Sequence, residues 1–248
     1  MQRLICLTLL SLAGIVASMS TNLPSIDKNR RLYLIIAIGC ALFVSFTLIA
    51  MLTYAGGTYD DQAAKGYSFT HNFLSNLGMI TAISGKSNWI SAILFFLSLS
   101  AAGLCLVIFF IIFPRFFRET LLQKVLSLTG SVFGVLAGIS FAGIAFSPAD
   151  IARPLHVQFV MWAFRLFPLA VLCYVPVMFL SKTYPKVYAW VFAVFCLMLI
   201  GYYLLMTNGP SFTSPEGLVI QVVGQKVISY ASIISIFIQS VGAYRFLK

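Results

Sequence analysis

WISAILFFLSLSAAGLCLVIFFIIF, residues Trp89–Phe113, runs for 25 residues without one charged side chain. As a helix rising about 1.5 Å per residue, it exceeds the roughly 30 Å hydrocarbon core of a bilayer. A helix buried in a soluble protein keeps a polar face for water, and this one has none. Five further runs have the same character: Leu32–Tyr54, Val125–Phe146, Val157–Leu180, Val187–Met206 and Val227–Tyr244. The whole chain follows suit, with 60% hydrophobic residues, 9% charged residues and a mean hydropathy of +0.99. A soluble domain carries about a quarter charged residues, so lipid is the solvent here. The expected fold is all-α: a polytopic bundle of six transmembrane helices spanning residues 31–248.

The net charge of +10 raises the question of nucleic acid, and its distribution answers it. Ten basic residues (Lys28, Arg30, Arg31, Arg115, Arg118, Lys124, Lys182, Lys186, Arg245, Lys248) fall in alternate loops and tails on one side. The other side has four, Lys65, Lys86, Arg153 and Lys226, and also four of the six acids. By the positive-inside rule both termini are cytoplasmic, which fits a prokaryotic inner membrane. The charge is therefore an orientation signal with some attraction to anionic lipid, and no nucleic-acid partner is expected.

Residues 1–20 read differently. Their basic start, apolar core and small residues before Met19 resemble a signal peptide. Cleavage there would leave Lys28–Arg31 on the wrong side, so three readings stand open: a start assigned too early, an additional N-terminal helix, or a cleaved signal. The five cysteines lie singly inside apolar runs with no CxxC or Cys–His spacing, which predicts buried free thiols, no disulfide framework and no zinc site.

Loops on the basic side are short, and the longer ones lie opposite: Ala55–Asn88, Ser147–His156 and Thr207–Lys226. Function is expected on that outer side, because a bare crossing needs only a few residues. Within span three, Gly130, Gly134 and Gly138 recur every fourth residue. Such a row admits a close neighbour, either a helix of the same chain or a second copy in a homodimer.

The polar candidates cluster in and beneath these loops. Helical spacing over Tyr67–Gly78 places Phe69, Phe73 and Leu77 on one side and His71 and Ser75 on the other. This predicts a short amphipathic helix at the outer face, its polar edge meeting Asp150 or His156 across the bundle mouth. Arg165 lies nine residues into span four, where a charge costs roughly 2.5–3.5 kcal/mol. No span contains an acid to neutralise it, and Gln158 shares its face. An inward anion site and outward snorkelling are the two readings. Lys226 either snorkels to the headgroups or joins the outer polar cluster.

Three short stretches together resemble a known family. NFLSNLG (Asn72–Gly78) is similar to an ISDLG-type signature, SPADIARPLH (Ser147–His156) to a proline–aspartate–histidine segment, and GQKV (Gly224–Val227) to the opening of a last helix. The family comprises prokaryotic six-helix membrane proteins of unknown activity, distantly similar to the eukaryotic DRAM/Sfk-type proteins. The resemblance covers about residues 31–248 and implies topology. Asn76 stands where that family has aspartate, which removes an acid that proton- or metal-based chemistry would use.

The leading functional expectation is a non-enzymatic protein, without cofactor, that binds a lipid or small anionic ligand from the outer side through His71, Ser75, Asn76, Asp150, His156, Arg165 and Lys226. A membrane-embedded metal hydrolase using His71, Asp150 and His156 is the alternative. That set uses every candidate except Asp60, Asp61 and Glu216, and a catalytic zinc wants three protein ligands with an outer shell besides. A small transporter is a third class, although no inverted repeat is visible.

Overall fold

A computed structural model of the protein describes residues 26–247, together with Gly14 and Ser18. The signal-like segment 1–20 lies, but for those two residues, outside the described part. Six helices long and apolar enough to cross a membrane follow one another: α1 Ile26–Thr53, α2 Trp89–Ile112, α3 Leu121–Ala145, α4 Arg153–Leu180, α5 Lys186–Asn208 and α6 Pro215–Phe246. There is no strand among the described residues, only an isolated antiparallel bridge between Thr81 and Ser87. This is the all-α bundle of a multi-pass membrane protein.

Consecutive helices pack against each other, and α6 returns to lie against α1. The six thus close into a ring, and a ring has an inside. Its outward face is a belt of exposed Leu, Ile, Val and Trp.

Close approach within the ring depends on the glycine row. A Cβ on Gly138 would stand 2.9 Å from the Gly103 carbonyl oxygen, and one on Gly134 would stand 2.2 Å from the Phe110 ring, both on α2. At Gly130 it would stand 3.0 Å from the Ala170 carbonyl oxygen of α4. The row is therefore buried within the chain between α2 and α4, as the intrachain reading expects. The physical reason is sequence proximity: α3 is joined to both partners by short connections, so its smallest face is taken up by its own chain first.

α6 begins twelve residues before the apolar run that announced it. Ser214 caps its start by accepting from the Gly217 N–H at 3.2 Å, and Pro215 takes the first position. The added turns carry Gln221, Gln225 and Lys226, whose polarity hid them from a hydropathy reading. At the end of the bundle where α1 starts and α6 stops, here called the basic end, Glu119 anchors the α4–α5 turn. It accepts from the Lys182 N–H at 3.1 Å and from the hydroxyls of Ser181 at 2.8 Å and Thr183 at 3.2 Å. The Lys182 N–H first, then the hydroxyls, lower the pKa of its carboxyl to about 2.

Candidate functional site: a folded cap over two adjoining cavities

The opposite end is closed by residues 55–88, which are a folded cap built on three buried asparagines. Asn88 receives the Ala55 N–H at 3.1 Å and donates to the carbonyls of Leu77 at 3.2 Å and Met79 at 2.8 Å. Asn72 accepts from the Ser68 N–H at 2.8 Å and donates to the Gly57 carbonyl at 2.8 Å. Gly57 has φ +86°, and a Cβ there would stand 2.3 Å from the Ser84 nitrogen, so only glycine fits. Asn76 donates to the Tyr59 hydroxyl at 3.3 Å.

Tyr67–Gly78 is not an amphipathic helix. Residues 69–71 turn, and only Leu74–Gly78 coils, as a 3-10 helix. The cause is Asn72, whose side chain takes up the Ser68 N–H and offers the backbone an alternative to a helical ladder. Leu74 and Leu77 then point into the protein rather than into lipid.

The last helix fastens this cap. The Leu74 N–H donates to Gln225 Oε1 at 2.7 Å. Lys226 Nζ donates to the Asn72 carbonyl, with the rings of Tyr67 and Phe69 at 5.2 Å and 5.1 Å. Lys226 is 1% exposed, so it joins the outer polar group rather than snorkelling. A carbonyl and two ring faces hold the ammonium here.

The remaining expected site residues separate. His71 turns to Asp60, Nε2 to Oδ2 at 3.7 Å, at the part-exposed surface of the cap. Asp150 instead accepts from the Thr81 N–H at 2.8 Å, so the cap does meet the α3–α4 turn, through Thr81 rather than His71. His156 is buried and its Nδ1 donates to the Ser147 carbonyl at 2.7 Å. In the neutral ring this puts the proton on Nδ1 and leaves Nε2 as an acceptor. Among the described residues no three of His, Cys, Asp and Glu come together as a metal site.

Arg165 is exposed on the outward face of α4, 5.7 Å from the Trp162 ring, and Gln158 is exposed with it. The inward anion site is thereby corrected. Ala163, Phe164, Phe167 and Ala170 occupy the inner face of that stretch, and Arg165 has only the outward direction left.

Two cavities lie beneath the cap. The inner one, about 90 Å³, is walled by α1, α2, α3, α4 and α6 and roofed by Leu74 and Ser75. Of its polar residues, Ser229 and Ser232 donate to their own helix, to the carbonyls of Gln225 at 2.7 Å and Ile228 at 2.8 Å, and Gln225 Oε1 is taken by the Leu74 N–H, so most of the wall is apolar in effect. The other, about 180 Å³, opens beside Trp89 and Ile93 and has His156 and Ser75 in its lining. Ser75, Phe95 and Ile144 line both, so the two cavities adjoin and share these three residues as a wall. Sequence alone pointed to Ser75 and His156. It missed Asn72, Asn88 and Gln225, since a cap asparagine differs from any loop asparagine only in what it touches. Compared with known protein families, curated proteins and solved structures, the chain has no match.

Proposed function

We propose that the protein is a non-enzymatic membrane protein that holds an acyl chain of a membrane lipid under its cap. The observation that carries this is the apolar cavity under the cap, which shares Ser75, Phe95 and Ile144 with a neighbouring cavity flanked by the exposed Trp89 and Ile93. An apolar cavity of about 150 Å³ stays dry and takes up a benzene-sized guest, so cavities of this size suit a segment of chain rather than a whole lipid. Ser75 and the free acceptor of His156 supply hydrogen bonds for a polar head at the opening. The hydrolase alternative loses support because His71, Asp150 and His156 are each engaged by different partners.

The test is native mass spectrometry of the detergent-purified chain, wild type beside Ala102→Phe, which fills the inner cavity, and Arg165→Leu, which lies away from it. Ala102→Phe should lose most of the co-purified lipid without loss of thermal stability, and Arg165→Leu should keep it. Equal lipid in wild type and Ala102→Phe would sink the proposal.

The same reading places the basic end in the cytoplasm of a prokaryotic cell, supported by the ten-to-four distribution of basic residues. On a background without native cysteines, Ser214→Cys should react with impermeant maleimide in intact cells and Thr183→Cys should not. The reverse pattern would invert the topology.

A further inference from the structure

Among the buried hydrogen-bonding atoms without a partner at the basic end are four donors: Arg30 Nε, Tyr33 OH, Arg115 Nη1 and Tyr184 OH. They come from α1, from the turn after α2 and from the α4–α5 turn, and they are brought together by one ring. Phe116 stacks on Tyr33 at 5.9 Å and lies 5.4 Å from Tyr184, and Arg115 precedes it in the chain. Tyr33 lies within electrostatic range of both Tyr184 and Arg115. Arg30 stands one turn before Tyr33, held over the Tyr244 ring at 4.4 Å. Neither arginine has an ion pair among the described residues, and Glu119 is already engaged by the α4–α5 turn.

All four groups can donate, and two carry a full positive charge. A buried donor without an acceptor costs about 1–3 kcal/mol, more when charged, so four of them in one place lack a common acceptor. The group that answers this chemistry is compact, anionic and rich in oxygens. A guanidinium fork beside hydroxyl donors matches a phosphate, whose several oxygens can accept from all of them. Both tyrosines are fully buried while the arginines are half-buried.

We propose that Arg30, Tyr33, Arg115 and Tyr184 form a phosphate-binding site at the basic end of the bundle, filled by the phosphate of an anionic lipid or by free phosphate. It is distinct from the lipid-chain cavity under the cap, at the other end of the helices.

The test uses the full chain, stripped of lipid in neutral detergent and titrated with short-chain phosphatidic acid, with diacylglycerol of the same chains, and with inorganic phosphate. Native mass spectrometry and the unfolding midpoint are read together. Phosphatidic acid should bind and raise the midpoint, and diacylglycerol should do neither. Inorganic phosphate that displaces the lipid identifies the free ion as sufficient, and failure to displace it identifies the lipid headgroup. Arg115→Gln should weaken phosphatidic acid binding about tenfold, as expected for a charged hydrogen bond. Tyr184→Phe keeps the ring contacts and should weaken it about threefold, as expected for a neutral one. Lys182→Gln, basic but outside the cluster, should bind as wild type does. Equal binding of phosphatidic acid and diacylglycerol, or an unchanged Tyr184→Phe, would overturn the site. A loss in Lys182→Gln as large as in Arg115→Gln would reduce it to general surface charge and overturn it equally.

Discussion

Asn72→Ala should loosen the whole cap. The substitution leaves the buried Gly57 carbonyl and the Ser68 N–H without their partners, at about 1–3 kcal/mol for each orphaned group. The Asn72 carbonyl, which takes both the Tyr67 hydroxyl and Lys226 Nζ, then sits on a turn that nothing holds. The combined expectation is about 2–5 kcal/mol, seen as a fall of several degrees in the unfolding midpoint in detergent. Limited proteolysis should locate the effect, with cleavage within residues 55–88 quickening well before the helices are attacked. If Leu74 and Ser75 roof a lipid chain as proposed, that chain should leave with them. An Asn72→Ala protein with the midpoint and protease resistance of wild type would show that the cap is held by other means.

The second large effect is expected at Gly138→Val, in the middle of the bundle. The first carbon of any side chain there would lie 2.9 Å from the Gly103 carbonyl oxygen and 3.0 Å from the Val107 nitrogen. Both are backbone atoms of α2, so relief requires the two helices to part along their length. Overpacking a well-filled interface costs about 1–3 kcal/mol where side chains can move and more where they cannot. The expected result is little monodisperse protein after extraction, with the remainder melting far below wild type. Gly201→Ala is the matched control: nothing lies within 4 Å of its added carbon. It should be harmless or stabilise α5 by about 0.5–1 kcal/mol. Equal behaviour of the two variants would remove the glycine row from the account of why α2 and α3 meet.

The spans could be read from the chain because a bilayer imposes a length and forbids charge, and both constraints are local. The same uniformity concealed direction. α4 is apolar nearly all round, so its few polar residues could not show which face turned inward, and Arg165 was as compatible with the interior as with lipid. The start of α6 was hidden for the opposite reason, since Gln221, Gln225 and Lys226 look like loop residues until the cap they serve is known. Within the cap, alternation of Phe and polar residues suggested a helix over Tyr67–Gly78, whereas one side chain, Asn72, redirects the backbone. Ser75 and His156 were legible as polar residues near one face. Their shared cavity depends on Phe95 and Ile144, which carry no chemical signal of their own.

The fastening of residues 55–88 by α6 also fixes an order of events in synthesis. Leu74 and its partner Gln225 are 151 residues apart, and ribosomes add about 5–20 residues per second, so residues 55–88 exist for roughly 8–30 s before their fastener has been made. Throughout that interval the Asn72 carbonyl and the Leu74 N–H have no partner from α6, and the bundle has no closed end. α6 is therefore the element whose arrival closes the cap. A protease surveying nascent membrane proteins would meet residues 55–88 as open chain before α6 is made and as folded structure once it has docked.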